Sequence, residues 1–447
     1  MITVLRPSAL RACSAALFAL LAGGCMVKET RPMAKLAPVQ ATAEIPQDQL
    51  LDVGVRLFDP NVSKEYEENA ELAAKKGVYP DIRKAEARYL PTVLRQTLES
   101  SGQWGAVRVV PPTVEVMDVM VDGRIVESTG YRLALDVTVS DATGRRWFSR
   151  HYEQEADTAS YRDGPGRARD PYQNIYSQIA NDMVAYRQTL KRDELVAIPR
   201  VTQLRFGQDL APAAFKDYLA KDAAKDGKPE YRVVRLPAEG DPIVERVDRI
   251  RERDHGMVDT VSDHYVTFAE KMNEPYSAWR RSTYDEIDAE QRIRREATTR
   301  KVLGAAAVVG GILTPNNCST YACSSITNAA KAAAVAGGVM AVMSGIQKGK
   351  EAKMHADSLK EITNSFQGEA APLVVDVEGR TLKLTGTAEA QYAEWRKLLH
   401  ELYEEETGLV DQPARSADPP VAPGAPAAAK TDAQQAATVG APPRDRT

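Results

Sequence analysis

Five histidines and four cysteines in 447 residues leave little with which to build a metal centre or a thiol nucleophile. The histidines, His151, His255, His264, His355 and His400, are scattered along the chain. Asp254-His255 and Asp263-His264 look like a repeated pair, yet nine residues is two and a half helical turns and sets the imidazoles on opposite faces of a straight helix. Missing too are the HExxH zinc motif, the GxSxG nucleophile elbow and the glycine fingerprint of dinucleotide-binding folds. "GIQKGKE" from Gly345 imitates a phosphate loop with the wrong spacing, and Glu351 stands where a hydroxyl would hold magnesium. Carboxylates are plentiful but patterned as solvated surface, so no catalytic residue, metal ligand or cofactor is assigned. Net charge is only −4 and the basic residues are dispersed, with no basic patch interleaved with aromatics to suggest a nucleic-acid partner.

What is present begins at the N-terminus. Arg6 and Arg11 precede an apolar stretch from Cys13 to Ala22, about half of the roughly 20 residues a spanning helix needs, and the arrangement is that of a signal peptide. It ends in Leu21-Ala22-Gly23-Gly24-Cys25, which resembles the lipobox of bacterial lipoproteins. The resemblance implies that residues 1–24 are removed and that Cys25 receives diacylglycerol on sulfur and a further acyl chain, such as palmitate, on its amine. Two such lipid attachments anchor stably where a single chain is marginal. In that family an Asp after the cysteine favours the inner membrane; Met26 here implies the periplasmic face of the outer membrane. The alternative is a secretory signal cut after Ala22, with Cys25 a spare thiol. Once Cys13 is removed and Cys25 acylated, Cys318 and Cys323 remain, and an even pair in an oxidising compartment reads as a disulfide. Half of a metal site is the competing reading, without a second cysteine pair to complete it.

Beyond the anchor, residues 25–49 lack a sustained period and are expected to form a tether. Residues 50–200 read as an α/β domain. Val53, Val55 and Leu57 alternate as a strand; Leu90, Val93, Leu94 and Leu98 make a helical stripe that Gly102 should end; Asp122-Gly123 signals a hairpin. Tyr131, Leu133, Leu135, Val137 and Val139 share one strand face, and Asp141–Gly144 turn into the next strand. A helix follows with Asp170 as N-cap, Pro171 at its first position, and Ile175, Ile179 and Met183 inward. The predicted fold class is α+β: an N-terminal α/β sandwich with an antiparallel sheet, a helical region with a Gly/Ala-rich hairpin, and a small ββα unit. "LRQTLESSGQWGAVRVV" and "DVTVSDATGRRW" resemble the small α/β domain of transport-auxiliary lipoproteins and of the curli secretion-channel lipoprotein, over residues 50 to 190.

Residues 210–301 are charged and predicted helical. Ile243, Val247 and Ile250 mark one helix, Val258, Val261, Tyr265 and Phe268 another, and Pro275 is expected to separate these from a third that carries Asp288/Arg292 and Glu290/Arg294 pairs. Residues 302–348 form the apolar hairpin about the Cys318/Cys323 loop. Ala329, Ala333, Gly337, Ala341 and Gly345 recur every fourth residue, a stripe of small side chains that lets two helices approach closely. Leu303–Leu313 and Ala332–Ile346 reach about 16 and 22 Å at helical rise, against a hydrocarbon core of about 30 Å, so each alone is short for a span. Residues 349–410 give a helix with His355, Leu359, Ile362 and Phe366 on one stripe, then strand, Glu378-Gly379 turn, strand, and a helix with Tyr392, Trp395, Leu399 and Leu402 on one side. "VDVEGRTLKLTG" resembles the hairpin of the BON domain, an envelope module linked to phospholipid binding. The Pro/Ala tail, 411–447, is too poor in large apolar residues to offset its ordering entropy.

These readings converge on a non-enzymatic outer-membrane lipoprotein, a scaffold or assembly component. It is expected to bind the membrane through its lipid and to self-associate, or dock on an envelope protein, through the small-residue hairpin. A secretion channel or pore with the hairpin inserted is the first alternative, and a hydrolase of envelope polymer the second.

Overall fold

The structure, a computed structural model, describes residues 34–69, 72–73, 76–156, 158–161, 169–223, 229–312, 373–377 and 380–407. The chain divides into a unit Met1–Tyr403 and a second, Glu404–Thr447, of which 404–407 are described and helical. Cys25, Cys318, Cys323 and the stripe Ala329, Ala333, Gly337, Ala341 and Gly345 lie outside the described residues. So do the His355 stripe, the Glu378-Gly379 turn and the tail.

The fold is α+β, as the hydrophobic patterns predict. Its centre is a five-stranded sheet of β1 (Val53–Arg56), β2 (Val107–Val110), β3 (Val119–Ser128), β4 (Arg132–Asp141) and β5 (Arg146–Glu155), in the order β2-β1-β3-β4-β5. Strands β3, β4 and β5 form an antiparallel meander, but β1 runs parallel to both neighbours, so the sheet is mixed rather than wholly antiparallel. The cause is connectivity. A short helix α1 (Lys64–Glu68) and the long α2 (Pro80–Ser100) carry the chain from the end of β1 back to the start of β2, the crossover that a parallel pair requires.

Asp122 and Gly123 do not turn the chain. They sit inside β3 opposite Thr138 and Val137, and the bend comes at Thr129–Tyr131. Gly123 is needed for close approach: a Cβ there would lie 2.4 Å from the ring of Phe58. The turn at Asp141–Gly144 forms as predicted, with Gly144 at φ +87°. Along β4, Leu133, Leu135, Val137 and Val139 are completely buried while Asp136 is exposed, the alternation of a sheet covered on one face. The cover is α2, with Leu90, Leu94 and Leu98 buried and Gly102 ending it at φ +63°, together with α3 (Gln173–Arg187), with Ile175, Ile179 and Met183 buried. Helix α3 starts three residues after Asp170. That carboxylate instead accepts the Tyr172 N–H (2.9 Å) in a preceding turn, and its second oxygen pairs with Arg280 (2.8 Å).

Residues 34–41, expected to be tether, lie against α3. Asn174 accepts the Leu36 N–H (2.9 Å) and donates to the Ala34 carbonyl (3.0 Å); two turns on, Asn181 accepts the Val39 N–H (2.7 Å) and donates to the Ala37 carbonyl (3.1 Å). The spacing of seven residues repeats one backbone-reading contact along one helix face.

Next come α4 (Arg192–Leu210), α5 (Pro212–Phe215) and an antiparallel hairpin, β6 (Leu219–Ala223) and β7 (Pro229–Val233), in a stretch predicted to be helical. One helix, α6 (Pro242–Ile312, 71 residues), then replaces the predicted three and passes through Pro275. Proline there leaves the Lys271 carbonyl without its helical donor, but Lys271 is exposed and water can serve it. Val247, Ile250, Val258, Val261, Tyr265, Phe268, Met272, Tyr276 and Trp279 of α6 are buried against α2, β2 and α4. Helix α6 also covers the sheet edge: the Val109 N–H donates to Ser262 Oγ (3.0 Å), and Arg108 of β2 pairs with Asp259. The ββα unit forms as predicted, with β8 (Leu373–Val377) antiparallel to β9 (Arg380–Leu384) and α7 (Ala388–Thr407) burying Tyr392, Trp395, Leu399 and Leu402.

Candidate functional site

The described residues enclose a cleft of about 680 Å³, bounded by the loop after β2, α4, the start of α5, the β6–β7 hairpin, α6 and α7. Its floor is apolar, from Val116, Met117 and Val258, with Thr202 held between the Asp118 carboxylate and the Ile198 carbonyl. Two unlike walls rise from it.

The first wall is a closed charge network. Asp254 of α6, 6 % exposed, accepts Trp395 Nε1–H (3.2 Å) and Tyr392 Oη–H (3.4 Å) from α7. Arg396 Nη1 lies 3.4 Å from the same carboxylate. Burial pushes the Asp254 carboxyl up, and Arg396 and the two donors offset only part of that. Asp209 of α4 pairs with the other end of Arg396 and lies 3.5 Å from His400 Nε2. The His400 hydrogen bond, with the nearby Arg396 charge, holds the Asp209 carboxyl below the usual carboxylate range. One carboxyl raised beside one lowered is the contrast that separates acid from base in hydrolases. Here both converge on one guanidinium, itself 4.9 Å over the Phe206 ring. A scissile bond between the carboxylates would have to displace Arg396, so the wall positions α7 on α4 and α6 rather than offering an acid–base pair.

The second wall is cationic. The Arg205 guanidinium lies 4.2 Å over the Tyr231 ring, and its Nη1 donates to the Ala142 carbonyl (2.8 Å). Burial lowers its pKa, and the nearby charge of Arg56 adds to the effect. Lys221 Nζ approaches the same ring to 5.5 Å, and Lys216 lines the cleft beside them. Between the walls stands His255, whose pKa is lowered by burial and by the Arg108 and Arg251 charges, leaving a neutral imidazole at pH 7.

Of the sequence-singled histidines, His255 and His400 border the cleft, while His264 does not, in keeping with the opposite-face expectation for the His255/His264 pair. His151 sits on β5 with Nδ1 2.7 Å from Asp136. Sequence reasoning missed Arg205, Lys216, Lys221 and Tyr231 because they come from a helix, a turn and two strands. No spacing rule links them, and the hairpin holding two of them was read as helix. Among the described residues no group of three or more His, Cys, Asp or Glu could hold a metal, and no helix is long and apolar enough to cross a membrane. The chain matches no protein-family model, no curated protein and no solved structure, so the lipobox-like, transport-auxiliary-like and BON-like resemblances rest on the sequence stretches that carry them.

Proposed function

We propose that the protein is a non-enzymatic lipoprotein of the bacterial outer membrane, acylated at Cys25, that scaffolds or assembles envelope components through its Gly/Ala-rich hairpin. The observation that carries this reading is α6. The helix belongs to the domain core from Val247 to Tyr284 and continues unbroken to Ile312, where the sequence has already become "KVLGAAAVVGGI". At 1.5 Å per residue the part after Tyr284 amounts to about 42 Å of helix. A helix pinned along its first ten turns holds its own continuation at a set distance and angle, as a scaffold needs and a flexible linker does not supply.

The strap supports the same reading. Because residues from Ala34 onward are bound to α3, only nine residue steps separate that point from Cys25, a reach of at most about 32 Å. An acylated Cys25 would therefore keep the domain close to the bilayer.

Intact-mass analysis of the protein from membranes of a Gram-negative host tests the anchor and the cysteine pair together. The expected mass begins at Cys25, carries acyl chains, and rises by two hydrogens on reduction of Cys318–Cys323. An unmodified mass would remove the anchor. For the hairpin, a cysteine at Val339 should react with a water-soluble thiol reagent in membranes; protection confined to membrane-bound protein would favour the inserted-channel reading.

A further inference from the structure

The cleft's two walls differ in how their charge is balanced. Asp209 and Asp254 are both engaged by Arg396, and Arg251 lies 3.4 Å from Asp248. What remains is Arg205, Lys216 and Lys221 facing the single acid Glu115. Among the described residues no carboxylate pairs with any of these three cations within 4 Å, and Glu115 acts on Arg205 only at longer range. Arg205 is half-buried, and desolvating an arginine without a counter-ion is unfavourable, while Lys216 and Lys221 add exposed positive charge to the same cleft.

We propose that this cleft binds a phosphate ester of a polyol, with Arg205, Lys216 and Lys221 on the phosphate and Tyr231 as the ring over which Arg205 and Lys221 are both held. Arginine and lysine together match a phosphate that carries more than one anionic oxygen. The apolar floor of Val116, Met117 and Val258 suits the carbon skeleton, and the volume is within the range of small-molecule sites. The source is either a soluble phosphomonoester or the phosphodiester headgroup of a lipid. The site does not depend on acylation of Cys25 or on the hairpin, so it stands or falls separately from the scaffold reading.

The test is isothermal titration of the full chain with inorganic phosphate, sn-glycerol 3-phosphate and glycerophosphoglycerol, the deacylated diester headgroup. One-to-one saturable binding of at least one organic ester, tighter than that of inorganic phosphate, is expected. Preference for the monoester points to the soluble source and preference for the diester to the lipid. K216A/K221A, two exposed lysines whose loss leaves the core intact, should weaken binding about tenfold or more, since each charge-assisted contact is worth on the order of a tenfold change. R205Q should weaken it further, and K76A, outside the cleft, should not change it. Absence of saturable binding by all three probes, or binding undiminished in K216A/K221A, would overturn the proposal.

Discussion

At the scale of single residues, Gly130 sets how closely α6 can approach the sheet. A Cβ at Gly130 would lie 1.8 Å from the Arg280 carbonyl oxygen and 2.7 Å from the Tyr284 nitrogen. That backbone cannot easily retreat, because Arg280 is bound to Asp170 (2.8 Å) and lies 4.2 Å over Tyr276, while Tyr161 Oη donates to the Gly130 carbonyl (2.6 Å). G130A should therefore destabilise by about 1–3 kcal/mol or more, as overpacking does. G256A, on the exposed side of the same helix with nothing within 4 Å of a new Cβ, should stabilise by up to about 1 kcal/mol. Urea midpoints of the two variants would then move in opposite directions; a shared direction would refute the close-contact account. Asp118 makes a second residue-scale prediction. It is 8 % exposed, and burial pushes its carboxyl to about 6, against the pull of Thr202 Oγ1 (2.6 Å) and the Asp52 N–H (3.0 Å). The folded state holds this proton to higher pH than the unfolded chain, whose carboxyl titrates near 3.8. The stability it contributes is thus present below about pH 4 and is lost as pH rises through about 6. D118N removes the titration, so wild type measured against the variant should lose on the order of 2 kcal/mol between pH 4 and pH 7 in urea unfolding.

At the scale of elements, what the sequence made legible was whatever a local rule decides. The α7 stripe of Tyr392, Trp395, Leu399 and Leu402, the α2 stripe ended by Gly102, and the alternation of β4 follow from periodicity and capping, and each is buried where expected. The errors share a cause, since each depended on a distant partner. Gly123 looks like a turn residue until Phe58 is placed beside it, and Pro275 looks like a break until α6 packs on both sides of it. The cleft was illegible for the same reason: Arg205 and Lys221 are brought together at the Tyr231 ring only by the fold. The strap on α3 is the clearest case, because a Pro- and Ala-containing segment without a period has no signal of its own; the order comes from Asn174 and Asn181, some 140 positions away. Removing both clamps in N174A/N181A deletes four exposed hydrogen bonds to the strap, of about 1 kcal/mol each at most, together with the bond that Arg169 donates to Asn174. Amide exchange at Leu36 and Val39 should accelerate by about tenfold or more, while the amides of β3 and β4 keep their protection. Unchanged exchange at Leu36 would mean that the Asn contacts do not hold the strap.

At the scale of the whole molecule, the proposed role asks one helix to serve two environments. Its first ten turns are core, carrying Tyr265, Phe268, Met272, Tyr276 and Trp279 at or below 1 % exposure, and its continuation leads to the Gly/Ala sequence. Such an arrangement separates the stability of the α/β domain from the association of the hairpin, because the residues that stabilise one are not those that would mediate the other. The stripe Ala329, Ala333, Gly337, Ala341 and Gly345 works, on this reading, only by letting backbones come close, and a single large side chain at its centre would hold them apart. G337L should accordingly weaken self-association of the delipidated chain by about tenfold or more in sedimentation, a change of the size of one lost close-packed contact. The urea midpoint of the domain should stay where it is, because among the described side chains of α6 the last buried one is Tyr284. The two readouts discriminate. Lowered association with an unchanged midpoint fits a scaffold that assembles through the hairpin. A lowered midpoint would make the hairpin part of the folded core, and a wild-type chain that is already monomeric would transfer the role to a different envelope partner.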